Sequence, residues 1–183
     1  MHMIFRILMM LVRSKKASKI SMFDSGSVPM RATLTDIDFA GHINNGMYFS
    51  IFDLGRFDLM FRSGAWDVLR KNKWTPVVQA ETMTFRKSVK LGVKFTQETR
   101  VLGMDERCIY FEQHIVVNGE IYARGYIATR MTGKKGPVSN EEILAALGIT
   151  LPEDRVVPEW ITAWREASAL PGARKPAPFS LIR

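Results

Sequence analysis

The sequence predicts an α+β domain in which one long helix lies against an antiparallel sheet of about five strands, with further helices at the two ends. Three observations predict it. From Asn45 to Phe61 the residues Tyr48, Ile51, Phe52, Gly55 and Leu59 recur at helical spacing and make one wide apolar stripe. From Val77 to Thr132 the chain then breaks into four strand-length patterns: Val77 to Lys87, Lys94 to Gly103, Arg107 to Val117 and Glu120 to Thr132. Between the last two stands Asn118-Gly119, the strongest short-range hairpin signal, which makes that connection antiparallel.

The other elements follow in chain order. Ile4 to Val12 is apolar except for Arg6, and is followed by Arg13, Lys15, Lys16 and Lys19. As a helix rising about 1.5 Å per residue, this run reaches less than half of a hydrocarbon core of roughly 30 Å, so it predicts no membrane span. A signal peptide carries its positive charge ahead of the apolar run, and here it comes after. Two readings remain: a helix packed on its own domain or on a dimer partner, or an amphipathic anchor on a membrane surface. Ser21 to Pro29 reads as a Ser/Gly linker, and Met30 to Ile37 as the first strand. Gly55 costs the long helix about 1 kcal/mol relative to alanine unless another backbone approaches closely, which a sheet wrapped around the helix provides. Ala65 to Asn72 is a short second helix. In the later strands Phe95, Thr99 and Val101 share one face, as do Ile109, Phe111 and Ile115 with the polar Gln113. Ser139 to Leu147 is a helix with a capping box of Ser139 and Glu142. Pro158 to Ala169 is another, and the tail from Pro171, with Pro176 and Pro178, reads as loosely ordered. The expected division is 1–29 as an apolar and basic segment with its linker, 30–135 as the main domain, and 136–183 as terminal helices and tail.

With 183 residues and 46% hydrophobic content the chain can bury a full core. The net charge of +8 suggests nucleic acid only until it is located. Asp24 to Asp154 carries sixteen basic and sixteen acidic residues, while Met1 to Phe23 carries +5 and Arg155 to Arg183 carries +3. A neutral body removes the main support for a nucleic-acid partner. Cys108 is the single cysteine, so no internal disulfide forms, and one thiol with three histidines offers no zinc cluster. No metal and no cofactor is expected, and the composition points to a reducing, cytoplasmic location.

The chemistry concentrates in Leu34-Thr35-Asp36-Ile37-Asp38-Phe39-Ala40-Gly41-His42-Ile43-Asn44-Asn45-Gly46-Met47-Tyr48. Gly41 and Gly46 permit backbone geometry that a Cβ obstructs. Asn44 is a natural N-cap, which starts the long helix at Asn45. A helix N-terminus favours negative charge, including a carbonyl oxygen becoming an oxyanion.

The run D-x-D-x-x-G-H-I-N-N-x-x-Y, Asp36 to Tyr48, resembles the signature of hotdog-fold thioesterases of the 4-hydroxybenzoyl-CoA thioesterase type, which act on acyl-CoA. It is also similar to the D-x-D-x-N-x-H-V-N-N run of plant acyl-carrier-protein thioesterases, with Ala40 where that pattern has asparagine. The resemblance extends from about Met30 to Met131. It implies a hotdog fold that hydrolyses an acyl-CoA to free acid and CoA. Asp38 would be the nucleophile or general base, and the Asn45 backbone N–H would polarise the thioester carbonyl. His42 would orient Asp38, contact substrate or buttress the loop. Asp36 reads as structural. Gly41, Asn44 and Tyr48 are expected beside the substrate, with Tyr48 also a core residue. Arg86 and Lys87, with Lys90 and Lys94, fall where family members often hold the nucleotide end of CoA, and a solvated strand end explains them equally well. Glu81, among apolar strand residues, reads as an edge or dimer contact ahead of a residue approaching the site. Homodimers or dimers of dimers are implied, with sheets paired edge to edge and the acyl pocket between subunits. Two other readings stay open: a hotdog hydratase or dehydratase, whose Asp and His are one residue further apart than Asp38 and His42, and a non-catalytic acyl-binding or scaffold protein.

Overall fold

The computed structural model describes residues 2–172 and 175–178. Its elements are α1 (His2–Lys16), β1 (Gly26–Arg31), α2 (Asn45–Arg62), α3 (Ala65–Asn72), β2 (Thr75–Phe85), β3 (Lys94–Met104), β4 (Ile109–Val117), β5 (Glu120–Gly133), β6 (Gly136–Val138), α4 (Asn140–Leu147) and α5 (Glu159–Ala167). The strands form one antiparallel sheet in the order β1-β3-β4-β5-β2, with β6 added to β5. That is one strand more than the five expected, since the Gly136–Val138 segment turns back on the end of β5 with Met131 opposite Val138. Asn118 and Gly119 both adopt positive φ, 50° and 80°, at the β4–β5 hairpin.

The first strand differs from expectation. It begins at Gly26, inside the stretch read as linker, and ends at Arg31, pairing with β3 from Gly26 opposite Thr99 to Arg31 opposite Lys94. A turn closes it, because the Asp36 carboxylate accepts from the Thr33 N–H at 2.8 Å while the Asp36 N–H donates to the Thr33 carbonyl at 2.9 Å. The alternation that suggested a strand as far as Ile37 includes Leu34, which stands 79% exposed on that turn. With β1 starting early and β6 ending late, the sheet overruns both ends of the 30–135 span.

The sheet wraps around α2. Ile51, Phe52 and Leu59 are fully buried between helix and sheet with Phe95, Val101, Ile115 and Ile127. At the centre of this layer lies a polar knot. Gln113 donates its amide to the Phe52 carbonyl at 2.9 Å and to Thr99 Oγ1 at 2.7 Å, and its amide oxygen accepts from Arg56 at 2.7 Å. Gln97 donates to Thr99 Oγ1 beside it at 2.6 Å. These groups lie directly under Gly55, where no Cβ fits. Gln113, the polar exception on an apolar strand face, ties strand to helix backbone.

The N-terminal helix packs on α2 through a buried carboxylate. Asp58 is fully buried and accepts from Arg13 at 2.9 Å, Ser14 at 2.7 Å and Arg62 at 3.2 Å. The same helix covers one edge of the sheet, since Arg13 donates to the Ser27 carbonyl at 2.9 Å and Arg6 to the Arg31 carbonyl at 3.3 Å. Among the described residues the β2 edge carries no such cover, and Val77, Val78 and Phe85 are exposed along it. On the outer face α5 lies over a second small core of Cys108, Tyr110, Ala128 and Ile161. Tyr110 donates to Asp105 at 2.6 Å and accepts from Arg165 of α5 at 3.1 Å. Ser139 caps α4 by accepting from the Glu142 N–H at 3.2 Å. The expectation for the tail beyond Pro171 falls partly on residues outside those described.

The outer face also sets an acid limit on stability. Glu112 sits between His114 and Arg100, with Arg100 Nε at 2.7 Å, and these two partners outweigh burial and hold its carboxyl down at about 2. A depressed folded-state pKa contributes stability that is complete above the unfolded carboxyl value of about 4.3 and is lost as pH falls through the folded value. Acid titration of folding is therefore expected to steepen between about pH 4.5 and 2 in a Glu112-dependent way. Comparing urea midpoints at pH 7 and pH 3 for the wild type and Glu112→Gln checks it. An unchanged pH dependence in the variant would refute the role of this carboxyl.

Candidate active site

The loop between β1 and α2 is a closed miniature hairpin. Ile37 and Ile43 form an antiparallel bridge, the Asp38 N–H donates to the His42 carbonyl at 3.0 Å, and the Gly41 N–H donates to the Asp38 carbonyl at 3.1 Å. Gly41 turns the tip with φ +77°, a conformation in which a side chain is strained. The segment before β3 braces the hairpin from one side. The Val89 carbonyl accepts from the Ile43 N–H at 2.9 Å, the Gly41 carbonyl accepts from the Leu91 N–H at 3.2 Å, and His42 bridges to Lys90. Asp36 holds the other side. Its side chain is buried, takes Arg6 of α1 at 2.7 Å and the Thr33 hydroxyl at 2.9 Å, and its carbonyl accepts from the Asn44 N–H at 2.8 Å. Asp36 is thus a structural carboxylate, as its position in the motif suggested.

Asp38 is placed differently. One carboxylate oxygen, Oδ1, accepts from the Ala40 N–H at 2.9 Å, an Asx turn that fixes the side chain. The other, Oδ2, lies 3.5 Å from His42 Nδ1, with the two side chains 20% and 34% exposed. A carboxylate anchored through one oxygen and open through the other can take a proton from water or attack a carbonyl. Asn45 is the first residue of α2, so its N–H belongs to the unpaired first turn. The Asn44 cap leaves it free, since that side chain accepts from Gly46 at 2.9 Å. Loop and helix terminus together present a carboxylate, an imidazole and a helix-end N–H.

The remaining expected site residues divide. Gly41 and Asn44 shape the loop. Tyr48 is buried in the first turns of α2, packed edge-on against Phe85 with ring centroids 5.2 Å apart. Burial pushes its hydroxyl pKa up, with the neighbouring Asp38 charge adding to the rise. Tyr48 is therefore a core residue behind the loop. Arg86 and Lys87 are exposed at the end of β2 and pair with Glu120 at 3.4 Å and 2.5 Å, and their side chains form no ion pair with the loop. Of the basic residues in that stretch, Lys90 is the one whose backbone joins the loop.

Two features escaped sequence reading. Arg56 pairs with Asp53 and, at 3.3 Å, with Glu81 on β2, where burial pushes the Glu81 carboxyl up. Beside them opens a cavity of about 110 Å³ lined by Phe57, Met60, Leu69, Ile109, Phe111 and Met131. The available signal was an arginine one residue beyond the central Gly55 of an apolar helix. Among the described residues no three His, Cys, Asp or Glu side chains lie close enough to hold a metal ion.

Comparison with known proteins gives this arrangement its context. The chain is 34% identical over 110 residues to Protein THEM6 of Danio rerio, a match covering 60% of this chain and 54% of that protein. The chain thus spans about half the length of the curated relatives it matches first. Among solved structures it is similar to YbaW, a probable thioesterase of Escherichia coli, with TM-score 0.63, 17% identity, and 73% of this chain and 99% of that one covered. It is also similar to Slr0204, a 1,4-dihydroxy-2-naphthoyl-CoA thioesterase of Synechocystis, with TM-score 0.58, 9% identity, and 68% and 96% covered. At these identities the structural likeness establishes the hotdog fold alone. The sequence profile of the thioesterase-like superfamily matches residues 32–164, which span the loop, the central helix and the whole of β2 to β6, and the chain belongs to that superfamily.

Proposed function

We propose that the protein hydrolyses acyl-CoA thioesters, with Asp38 as general base or nucleophile and the Asn45 N–H as the donor to the thioester oxygen. The observation that carries this reading is the open Oδ2 of an otherwise anchored Asp38 on the loop that leads directly into α2. In the general-base form Asp38 takes a proton from water as the oxygen adds to the carbonyl carbon. The developing oxyanion is stabilised at the helix terminus, and the C–S bond breaks with the proton returned to the departing CoA thiolate. His42, 3.5 Å from Oδ2, orients the carboxylate. That Slr0204 is a CoA thioesterase supports CoA as the carrier.

Dimerisation belongs to the same reading. With β1 covered by α1 and β2 open, the exposed edge favours pairing of two β2 strands about a two-fold axis. Antiparallel pairing brings the Phe85 end of one β2, beside Tyr48 and the loop, next to the Thr75 end of the other. Pro76 and Val78 at that end line the apolar cavity. An acyl group activated on one subunit would then lodge its far carbons in the other. A cavity of about 110 Å³ suits a short chain end, being smaller than the roughly 150 Å³ that holds a benzene ring. Light scattering at micromolar concentration is expected to return twice the 20.8 kDa chain mass, or four times for a dimer of dimers. A monomer would count strongly against a shared site.

The deciding experiment incubates purified protein with a panel of acyl-CoAs and a thiol-detecting reagent. Release of free CoA is the expected result. Hydration of enoyl-CoA without thiol release, or saturable binding without turnover, would overturn the hydrolase reading in favour of a hydratase or a binding protein.

A further inference from the structure

The two faces of α1 differ in a way that packing on α2 does not explain. Its inward face carries Met10, Ser14 and both arginines, Arg6 and Arg13, each committed to a buried carboxylate. Its outward face carries Ile4, Phe5, Leu8, Met9 and Val12, which are 55–69% exposed. Helical spacing gathers these five into one stripe across two and a half turns, with no charged residue inside it. The basic residues Lys15 and Lys16 close the exposed end, Lys19 follows, and none of the three lysines makes an ion pair among the described residues. No acidic residue occurs between Met1 and Phe23. Arginines are turned inward to pair, and lysines outward.

Among the described residues nothing covers this stripe. The sheet edge left open for a second copy is β2, and α1 lies at the opposite edge beside β1. Among the described residues no helix is long and apolar enough to cross a membrane. A helix with an apolar face about 5–10 Å deep and a lysine collar fits the boundary between acyl chains and anionic headgroups. We infer that the outward face of α1 docks the protein on the surface of an anionic lipid bilayer. Because Arg6 of α1 grips Asp36, the docked helix is mechanically continuous with the Asp38 loop. The exposed Leu34, two residues before Asp36, lies on the turn that Arg6 holds. Docking through α1 therefore anchors the element that holds this loop close to the membrane, where amphiphilic acyl thioesters concentrate. The inference concerns α1 alone and stands whether or not the site hydrolyses them.

The test is co-sedimentation of the full chain with vesicles of phosphatidylcholine alone and with phosphatidylglycerol added, followed for the wild type and two sets of substitutions. Wild type is expected to bind the anionic vesicles and to lose that binding at high salt. Lys15→Gln, Lys16→Gln and Lys19→Gln together should weaken it on the order of 100-fold, at about a factor of five per lysine. Phe5→Ser with Leu8→Ser should weaken it at least about tenfold, even at low salt. Both residues face outward, so circular dichroism, light scattering and turnover of a soluble acyl-CoA should be unchanged. Absence of wild-type binding to anionic vesicles, or binding indifferent to Phe5 and Leu8, would overturn the inference. So would a loss of oligomeric state in Phe5→Ser with Leu8→Ser, which would assign the stripe to a second copy of the chain.

Discussion

Asp38→Asn is expected to lower turnover at least about 100-fold, the usual scale of a lost general base, with little change in substrate affinity. The geometry makes the substitution clean. Asparagine keeps an oxygen for the Ala40 N–H, so the Asx turn survives, while the free Oδ2 that faces His42 loses its charge and basicity. Stability should hold or rise slightly, because the carboxylate makes this one hydrogen bond to backbone and asparagine retains it. Asp36→Asn is the natural comparison and behaves differently. Its Oδ2 accepts from Arg6, from the Thr33 N–H and from the Thr33 hydroxyl, so neutralising it leaves a partly buried guanidinium short of its partner and lowers stability. Turnover must accordingly be expressed per folded molecule. If Asp36→Asn abolished turnover while Asp38→Asn kept it, the two carboxylates would have exchanged roles. If both variants remained active, the loop would not be the catalytic element.

The contrast between these two aspartates marks how far the sequence could be read. The loop, the helix start at Asn45 and the cap at Asn44 were legible because each rests on a local rule: glycine for positive φ, asparagine for the cap, apolar spacing for the helix. The β4–β5 hairpin was legible from Asn118-Gly119 for the same reason. What could not be read was set by distant partners. That Asp36 is structural was inferred, but its partner Arg6 lies thirty positions away in a helix assigned to a separate segment. Asp58 falls within the central helix and is fully buried, which becomes affordable only when Arg13 and Ser14 of α1 arrive beside Arg62. An isolated Arg6 in an apolar run was the available clue that α1 pairs with a buried acid. The first strand was displaced because alternation does not distinguish a strand from a turn whose apolar residue, Leu34, faces solvent. The pairing of Arg86 and Lys87 with Glu120 was likewise hidden, because Glu120 sits thirty-three residues beyond Lys87 across the β2–β5 pairing.

Gly55→Ala is expected to destabilise the fold by about 2–4 kcal/mol, although alanine is the better helix former by about 1 kcal/mol. The sign is decided by the sheet. A Cβ at Gly55 would lie 1.7 Å from Gln97 Oε1 and 2.4 Å from Thr99 Oγ1, far inside van der Waals contact. Neither neighbour can yield cheaply. Gln97 is fully buried and donates to the Glu98 carbonyl and to Thr99, while Thr99 also accepts from Gln113, which in turn binds the Phe52 carbonyl and Arg56. Moving one amide breaks a chain of buried hydrogen bonds that links β3 and β4 to the helix, and each buried polar group left unpaired costs about 1–3 kcal/mol. Lifting the helix instead would open the apolar layer formed by Ile51, Phe52 and Leu59. Urea unfolding should therefore show a lower midpoint for Gly55→Ala with an unchanged slope. The clash is tested directly by the pair: Gln97→Ala added to Gly55→Ala should lose less than the sum of the two single changes, a coupling expected of residues in contact. A Gly55→Ala variant as stable as the wild type would mean that helix and sheet can separate at this point, and that the close approach of α2 to β3 is not what requires glycine there.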